Sequence, residues 1–391
     1  MTRSRNFFLV LVLLTAALAL VSRATDSQPP PKLPIDETGT VHVPAFDIPL
    51  SSYMSDQARQ AFVKTAAAAQ SSGDDWKSSS IAKIRARGES ALQKYMDRAR
   101  VLYAVNVEER SFAGVRTRVV TPKDGVAAHN RDHVLINVHG GGFFAGAGNE
   151  ALIESVPVAG LGKLKVITVD YREGPEYSYP AASEDTALVY ESLLKDYKPA
   201  NVGIYGCSAG GILTAMAVAW FQKHQLPAPG AIGIFGAGAF GAWYGPPSVL
   251  GSWSGDSAYT APPLTGRKPV ALDPRQADPI PDYMSAYLRN VDLTDPLVSP
   301  ALSPSILSKF PPTLLITGTR AWDMSAAAQT QRALTIAGVQ ADLHVWDGMG
   351  HCFFFDVDLP ESKEAFAVMT KFFDSQLGRK VTPEGKYSRR H

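Results

Sequence analysis

The pentapeptide G-C-S-A-G at residues 206–210 is the feature that most constrains the fold of this chain. It directly follows the apolar run Val202–Gly206, which predicts a buried strand, and it opens the helix-forming run Ala209–His224. A serine at such a strand–turn–helix junction lies on a sharp turn that admits only small neighbours and projects the hydroxyl above the sheet. The pattern therefore predicts a nucleophilic Ser208 within an α/β protein.

Short β-rich apolar runs alternate with longer helical runs, such as Glu184–Tyr197 and Ala209–His224, along the rest of the chain. The predicted strands are Val115–Thr121, His133–Val138, Lys165–Asp170, Val202–Gly206, Ala231–Phe235, Pro312–Thr317 and Asp342–Val345. Strands separated by helices of crossover length form a mostly parallel sheet that is covered by helices on both faces. From Ser51 to about Val105, apolar residues recur at three- and four-residue steps, which predicts helices that pack against this sheet.

A second glycine-rich motif, H-G-G-G-F at residues 139–143, follows the strand His133–Val138. Consecutive glycines let bare backbone approach a ligand closely, with N–H groups free to donate. An oxyanion hole needs such donors at about 3 Å from the reacting oxygen. The motif alone would equally fit a flexible turn, but upstream of the Ser208 turn it predicts an oxyanion hole.

A serine nucleophile needs a general base and a carboxylate that orients the base. His351 lies in a glycine-containing loop after the last predicted strand, and Asp323 lies just past the strand before it. Asp347 and Asp356 are alternative acids, but neither follows the strand that should carry the acid. The predicted triad is therefore Ser208, Asp323 and His351, in that chain order.

In these motifs the chain resembles the hormone-sensitive-lipase family of α/β-hydrolases, and in particular its bacterial carboxylesterases. The resemblance extends over about residues 45–377 and also includes Asp170–Glu176 and the Gly350-His351 pair followed by Phe353. It implies an α/β-hydrolase fold: a mostly parallel eight-stranded sheet flanked by helices, with an N-terminal helical cap.

The resemblance also implies roles for individual residues. Gly141, Gly142 and Ala209 would supply the oxyanion-hole N–H groups, while His139 and Gly140 would hold the glycine loop in shape. Aromatic side chains are candidates for lining the acyl or alcohol pocket, with core packing as the alternative: Phe143, Phe240, Trp243 and Tyr244.

Three positions depart from the family pattern. Cys207 replaces the usual aspartate of G-D-S-A-G, residues 171–176 are Y-R-E-G-P-E where Y-R-L-A-P-E is usual, and Asp323 comes later than the usual acid. The chain has two cysteines, Cys207 and Cys352, each beside a predicted catalytic residue. We expect two small buried thiols here, with a disulfide as the alternative in an exported protein.

Composition excludes several other classes of protein. With 38 Lys and Arg against 37 Asp and Glu, the net charge is +1, so the basic excess typical of nucleic-acid binders is absent. Two cysteines are too few for a Cys-based structural zinc site, and the lack of an H-E-x-x-H pair excludes a metalloprotease helix. We expect neither a metal nor an organic cofactor. The 45% hydrophobic content is typical of a globular chain with a sizeable core.

The N-terminus predicts export. Arg3 and Arg5 precede an uncharged apolar run over 7–21 and then small residues, the layout of a secretory signal over 1–24. The apolar run is short for a membrane span of about 20 residues, which favours a cleaved signal. An uncleaved anchor is the alternative. A Pro-rich tether over 25–45, a cap segment over 46–105, a catalytic core over 106–377 and a basic tail over 378–391 would follow.

The sequence thus predicts a secreted or periplasmic serine carboxylesterase. It would hydrolyse small-molecule esters with short- to medium-chain acyl groups through an acyl-enzyme, without stable membrane insertion once the signal is cleaved. A lactonase, peptidase or polymer deacetylase could use the same triad, because fold and triad do not select the bond. A non-catalytic binding module and a tethered surface protein are alternatives from other classes.

Overall fold

The computed structural model describes residues 35–37, 39, 41–43, 47–71, 80–241 and 286–379. The predicted signal, most of the predicted tether and tail, and the pocket candidates Trp243 and Tyr244 lie outside these residues. The chain divides into two units, Met1–Pro49 and Leu50–His391. In the first unit an isolated antiparallel bridge joins Ile35 and Val41.

One eight-stranded sheet forms the centre of the second unit. Its strands are β1 (Val105–Phe112), β2 (Val115–Pro122), β3 (Val134–Val138), β4 (Lys165–Val169), β5 (Val202–Cys207), β6 (Ala231–Phe235), β7 (Thr313–Gly318) and β8 (Ala341–Trp346). They are ordered β1-β2-β4-β3-β5-β6-β7-β8. β2 pairs antiparallel with β1 and β4, whereas every other neighbouring pair is parallel. The predicted mostly parallel eight-stranded sheet is confirmed.

Helices precede the sheet and connect its strands. They are α1 (Asp56–Ser71), α2 (Ile81–Leu102), α3 (Asn149–Gly162), α4 (Ala181–Leu193), α5 (Ala209–Lys223), α6 (Pro304–Leu307), α7 (Met324–Ile336) and α8 (Pro360–Gln376). Short 3-10 turns lie at Ala128–Asn130, Pro199–Asn201, Pro300–Leu302 and Phe353–Phe355.

Two sequence predictions about these elements need correction. The helix expected over Glu184–Tyr197 instead starts directly after Pro180, a residue compatible with a helix start, and ends at Leu193, where turns replace its expected last residues. The strand β1 was not predicted. Its six central residues are exposed at the edge of the sheet, so its sequence carries no apolar alternation.

The sheet separates two apolar cores because successive residues of a strand point to opposite faces. In β3, Val134, Ile136 and Val138 face the core that includes α4, α5 and α7. Leu135 faces the other core, which includes α2, α3 and α8. The same alternation buries both faces of β5, so this strand lies between two layers of helices.

The N-terminal helices contact loops at the carboxyl ends of the strands. Arg85 of α2 donates from Nε to the carbonyl oxygen of Phe144, at 2.6 Å, in the loop after β3. The guanidinium of Arg320, after β7, lies 5.0 Å from the ring centroid of Phe62 of α1. These contacts join the N-terminal helices to the strand-end loops, and the role of residues 46–105 as a cap stays a prediction. None of the helices in the described residues is long and apolar enough to cross a membrane.

Candidate active site

The predicted site residues lie together because they all follow parallel strands. Residues 139–143 follow β3, Ser208 follows β5, Asp323 follows β7 and His351 follows β8. The carboxyl ends of parallel strands meet at one edge of the sheet, which is where α/β proteins bind ligands. The structure therefore places residues 139–143, Ser208, Asp323 and His351 at the same edge of the sheet.

Ser208 lies on the sharp turn that its sequence context predicts. Its backbone has φ 58° and ψ −124°, and its N–H donates to the carbonyl oxygen of Phe235 at 2.9 Å. A Cβ atom at Gly206 or Gly210 would collide with the carbonyl oxygen of Val138. Both glycines are thus required by the close approach of β3. Ala209 is the first residue of α5, so its N–H has no acceptor within the helix.

His351 and Asp323 form a direct contact. The imidazole Nδ1 lies 2.6 Å from Asp323 Oδ1, and the Asp323 side chain is fully buried. The hydroxyl of Thr317, at the end of β7, donates to Asp323 Oδ2 at 2.5 Å. With Nδ1 directed at the carboxylate, Nε2 is the nitrogen that can accept a proton, and it lies 3.6 Å from Cys352 Sγ.

The two alternative acids have other partners. Asp347 accepts from the hydroxyl of Thr319 at 2.8 Å and from that of Ser51, and these hydrogen bonds lower its pKa. Asp356 follows the 3-10 turn at Phe353–Phe355, and burial raises the pKa of its carboxyl. The geometry thus favours Asp323 as the partner of the imidazole.

The glycine loop exposes backbone donors. Gly141, Gly142 and Phe143 have successive φ values of 96°, 62° and 64°, which turn the chain through the left-handed region. Such a path is open mainly to glycine. Within the described part of the chain, the N–H groups of Gly141 and Gly142 donate to no other residue, so both remain free for a ligand.

His139 is buried beneath this loop. Burial lowers its pKa to about 4, so the imidazole is neutral near pH 7. Its Nδ1 lies 2.8 Å from the carbonyl oxygen of Gly140, and its ring stacks on Tyr171 at 4.3 Å. The hydroxyl of Tyr171 donates to the carbonyl oxygen of His139 at 2.8 Å. These contacts fit a role in holding the loop.

The two cysteines are joined in a disulfide, so the expectation of two free thiols is wrong. Cys207 and Cys352 have Cα atoms 6.4 Å apart, within bonding reach. Cys207 ends β5 and Cys352 lies in the loop after β8, next to His351. A Cβ at Gly236 would lie 2.9 Å from both sulfur atoms, so the glycine leaves the space that the bond occupies.

Two of the four aromatic residues predicted to line a substrate pocket, Phe143 and Phe240, lie within the described residues. Phe143 is buried and stacks on Tyr287 with ring centroids 4.8 Å apart, and Phe240 is also buried. Both lie within the apolar core, and their place in a substrate pocket stays a prediction. The described residues contain no group of three or more His, Cys, Asp or Glu side chains that could hold a metal ion.

Two buried polar residues that the sequence analysis did not single out support the site. Thr317 binds Asp323, as described above. Glu154 of α3 accepts hydrogen bonds from the backbone N–H groups of Gly140 and Cys207. A threonine within an apolar strand carries no sequence signal, whereas a glutamate within an apolar helical run does.

Comparisons with known proteins agree with this fold. A family model described as the α/β-hydrolase fold matches residues 135–355. An esterase of Acinetobacter venetianus is 26% identical over 278 residues, 69% of this chain and 82% of that protein. An acetyl-hydrolase of Streptomyces hygroscopicus is 26% identical over 253 residues, 64% of this chain and 78% of that protein.

Solved structures are similar over most of the chain. The crystal structure of esterase E25 matches with a TM-score of 0.70 and 29% identity, covering 86% of this chain and 98% of that one. An esterase of the bacterial hormone-sensitive lipase family shares the fold at 23% identity, with a TM-score of 0.64 and coverage of 83% and 99%. Because the family model covers more than half of its residues, the chain belongs to the α/β-hydrolase fold family.

Proposed function

We propose that this protein is an exported serine carboxylesterase that hydrolyses esters with short- to medium-chain acyl groups. The observation that carries the proposal is the 2.6 Å contact between His351 Nδ1 and Asp323 Oδ1, on the same sheet edge as the Ser208 turn. An oriented imidazole is what converts a weak serine hydroxyl into a nucleophile.

The first half of the reaction acylates Ser208. Its Oγ attacks the ester carbonyl carbon while His351 Nε2 takes the hydroxyl proton. Asp323 holds the imidazole in the required tautomer and stabilises the imidazolium. The proton then passes to the departing alcohol oxygen as the ester C–O bond breaks.

The second half releases the acid. His351 takes a proton from water, whose oxygen attacks the acyl carbonyl, and returns a proton to Ser208 Oγ as the acyl bond breaks. In both halves the N–H groups of Gly141, Gly142 and Ala209 stabilise the tetrahedral oxyanion. Each such donor typically contributes about 3 kcal/mol to lowering the barrier.

The names of the relatives support an ester bond and a short acyl group as the substrate features. They are named as an esterase and an acetyl-hydrolase, and acetyl is a short acyl group. Transfer of these activities to this chain is our inference, since fold alone does not select a substrate.

Export has two supports. The first is the signal-like layout of residues 1–24. The second is the bond between Cys207 and Cys352, because disulfides persist mainly in oxidising compartments. Sequencing the N-terminus of protein recovered outside the cytoplasm tests this part: a start near Thr25 is expected, and an intact Met1 would contradict cleavage.

The activity is tested by hydrolysis of p-nitrophenyl acetate, butyrate, octanoate and palmitate. Wild type is expected to favour the shorter acyl chains, and Ser208→Ala to lose turnover. Ser305→Ala, which changes an exposed serine, is the matched control and should behave as wild type. Folded wild type that hydrolyses no ester faster than Ser208→Ala would refute the proposal and direct attention to lactones and amides.

A further inference from the structure

Glu154 is a buried acid at the centre of the site's scaffold. Its side chain, on α3, is only 2% exposed, and both of its carboxylate oxygens are used. Oε1 accepts from the N–H of Gly140 at 2.9 Å. Oε2 accepts from the N–H of Cys207 at 3.1 Å and from Nδ2 of Asn137 at 2.8 Å.

The two backbone donors are ones that the sheet cannot satisfy. The ladder between β3 and β5 ends at the pair Asn137 and Tyr205, although the two chains stay close beyond it. Gly140 and Cys207 lie past that end, and both are buried. A buried N–H without an acceptor is costly, so a single carboxylate takes the place of the missing carbonyl partners.

A polar network holds the carboxylate in place. Oδ1 of Asn137 accepts from the hydroxyl of Thr168 on β4 at 2.7 Å and from that of Ser155 at 3.2 Å. The amide of Asn137 is thereby fixed so that its Nδ2 faces Glu154. A satisfied buried network of this kind specifies one arrangement of the elements it joins.

The geometry points to Glu154 as a positioning residue that sets the oxyanion loop and the nucleophile turn in one fixed relation. Gly140 directly precedes the oxyanion donors Gly141 and Gly142, and Cys207 directly precedes Ser208. The inference rests on the proposed function, because it assigns Glu154 to the same reaction.

Burial and hydrogen bonding act on the pKa of the Glu154 carboxyl in opposite directions. Burial raises the pKa of Glu154 to about 8, while the three N–H donors and the nearby His351 act in the opposite direction. The same helix carries Glu150, whose pKa burial raises well above its ordinary value. Glu150 makes no comparable hydrogen bonds to the two loops within the described structure.

The test compares Glu154→Gln with Glu150→Gln, two identical changes at buried positions of one helix. In Glu154→Gln one acceptor oxygen becomes an NH2 group that faces backbone donors, so the two loops lose their common anchor. We expect kcat to fall about 10- to 100-fold with KM within about threefold, since small misplacements of reacting groups act on the chemical step. Glu150→Gln, which leaves the hydrogen bonds from Gly140 and Cys207 to Glu154 intact, is expected to keep the wild-type kcat.

A merely structural role would give a different result. The inference would be overturned if both variants lost kcat equally and the loss followed the fall in their melting temperatures. Wild-type kcat in Glu154→Gln would also overturn it. If Glu154→Gln does not fold, Glu154→Asp decides: it keeps the carboxyl group but is too short to reach both N–H groups. It should show the same loss of kcat, and wild-type kcat there would overturn the inference.

A fluorophosphonate probe separates this inference from the proposed function. The probe reacts as Ser208 Oγ bonds to phosphorus, fluoride leaves and the hydroxyl proton passes to His351, so no ester hydrolysis is needed. Labelling at Ser208 is expected to be at least about tenfold slower in Glu154→Gln than in Glu150→Gln. If wild type hydrolyses no ester yet labelling differs in this way, the proposed function fails and the positioning role stands. Equal labelling rates would refute the positioning role alone.

Discussion

The disulfide offers a quantitative prediction about the stability of the active site. Cys207 and Cys352 are 145 residues apart and almost fully buried, with 0% and 4% of their surfaces exposed. The bond therefore closes a long loop, and it connects the residue before Ser208 to the residue after His351. Removing it with the double change Cys207→Ala and Cys352→Ala should affect both the unfolded chain and the site.

The magnitude follows from the length of the closed loop. In the chain-entropy model, a loop of 145 residues restricts the unfolded state by about 5 kcal/mol at 25 °C. An unfolding entropy of about 2.1 cal/mol/K per residue over 391 residues gives about 0.8 kcal/mol/K for the whole chain. The double variant is therefore expected to melt about 6 °C below wild type.

The effect on catalysis should be smaller than the loss of a catalytic group. Without the bond, the loop that carries His351 is held by its remaining contacts, including the one to Asp323. We expect kcat to fall about 3- to 30-fold, because His351 then spends less time in the reactive geometry.

Differential scanning calorimetry and ester kinetics test both parts. With a phosphine reductant present, the melting temperature of wild type should fall to about that of the double variant. The melting temperature of the double variant should not change with reductant. A double variant that melts within about 1 °C of wild type, with unchanged kcat, would refute the reasoning from loop closure.

Three further changes have distinct expected results. Asp323→Asn should lower kcat about 10⁴-fold in ester kinetics, because the amide stabilises the wrong imidazole tautomer. Glu173→Gln should gain stability relative to wild type as pH rises, as measured by urea unfolding at about pH 4.5 and about pH 8. Burial raises the Glu173 pKa from 4.5 to about 7, so its stabilising contribution is present below pH 4.5 and is lost as pH rises through about 7. The total is about 3 kcal/mol. Gly210→Ala should destabilise the fold by at least about 3 kcal/mol in the same unfolding assay, because its Cβ would collide with the carbonyl oxygen of Val138.

Each of these changes has a control and a contradicting outcome. Asp347→Asn should keep kcat within about threefold, and a larger loss there than in Asp323→Asn would reverse the assignment of the acid. A constant stability difference between Glu173→Gln and wild type at both pH values would contradict the buried-acid account. Gly88→Ala, at an open position of α2, should stabilise by up to about 1 kcal/mol. A Gly210→Ala variant as stable as Gly88→Ala would show that the turn tolerates a side chain.

In this molecule, the features that can be predicted from the sequence are those determined by short local patterns. The turn at Ser208 requires glycines on both sides, and the glycine loop requires left-handed backbone, so both motifs are visible as short patterns. The proximity of Asp323 and His351 follows from their places after consecutive parallel strands at one edge of the sheet. Tertiary structure was needed only to show which of the three candidate acids contacts the imidazole.

Features that depend on contacts between distant segments are not predictable in this way. The edge strand β1 is polar and exposed, so no apolar pattern marks it. The bond between Cys207 and Cys352 depends on a Cα distance that spacing does not reveal. Glu154 is visible in the sequence only as an acid in the apolar run of α3. Of its two backbone partners, Gly140 follows β3 and Cys207 ends β5, so no local pattern links them to it.

The measurement that tests the central claim most directly is peptide mapping of the enzyme quenched during its first turnover of p-nitrophenyl acetate. The account predicts one acetyl group on the peptide that carries Ser208 and none on that peptide in Ser208→Ala, which should also lose turnover. An acetyl group on a different residue, together with undiminished hydrolysis by Ser208→Ala, would contradict the assignment of Ser208 as the nucleophile.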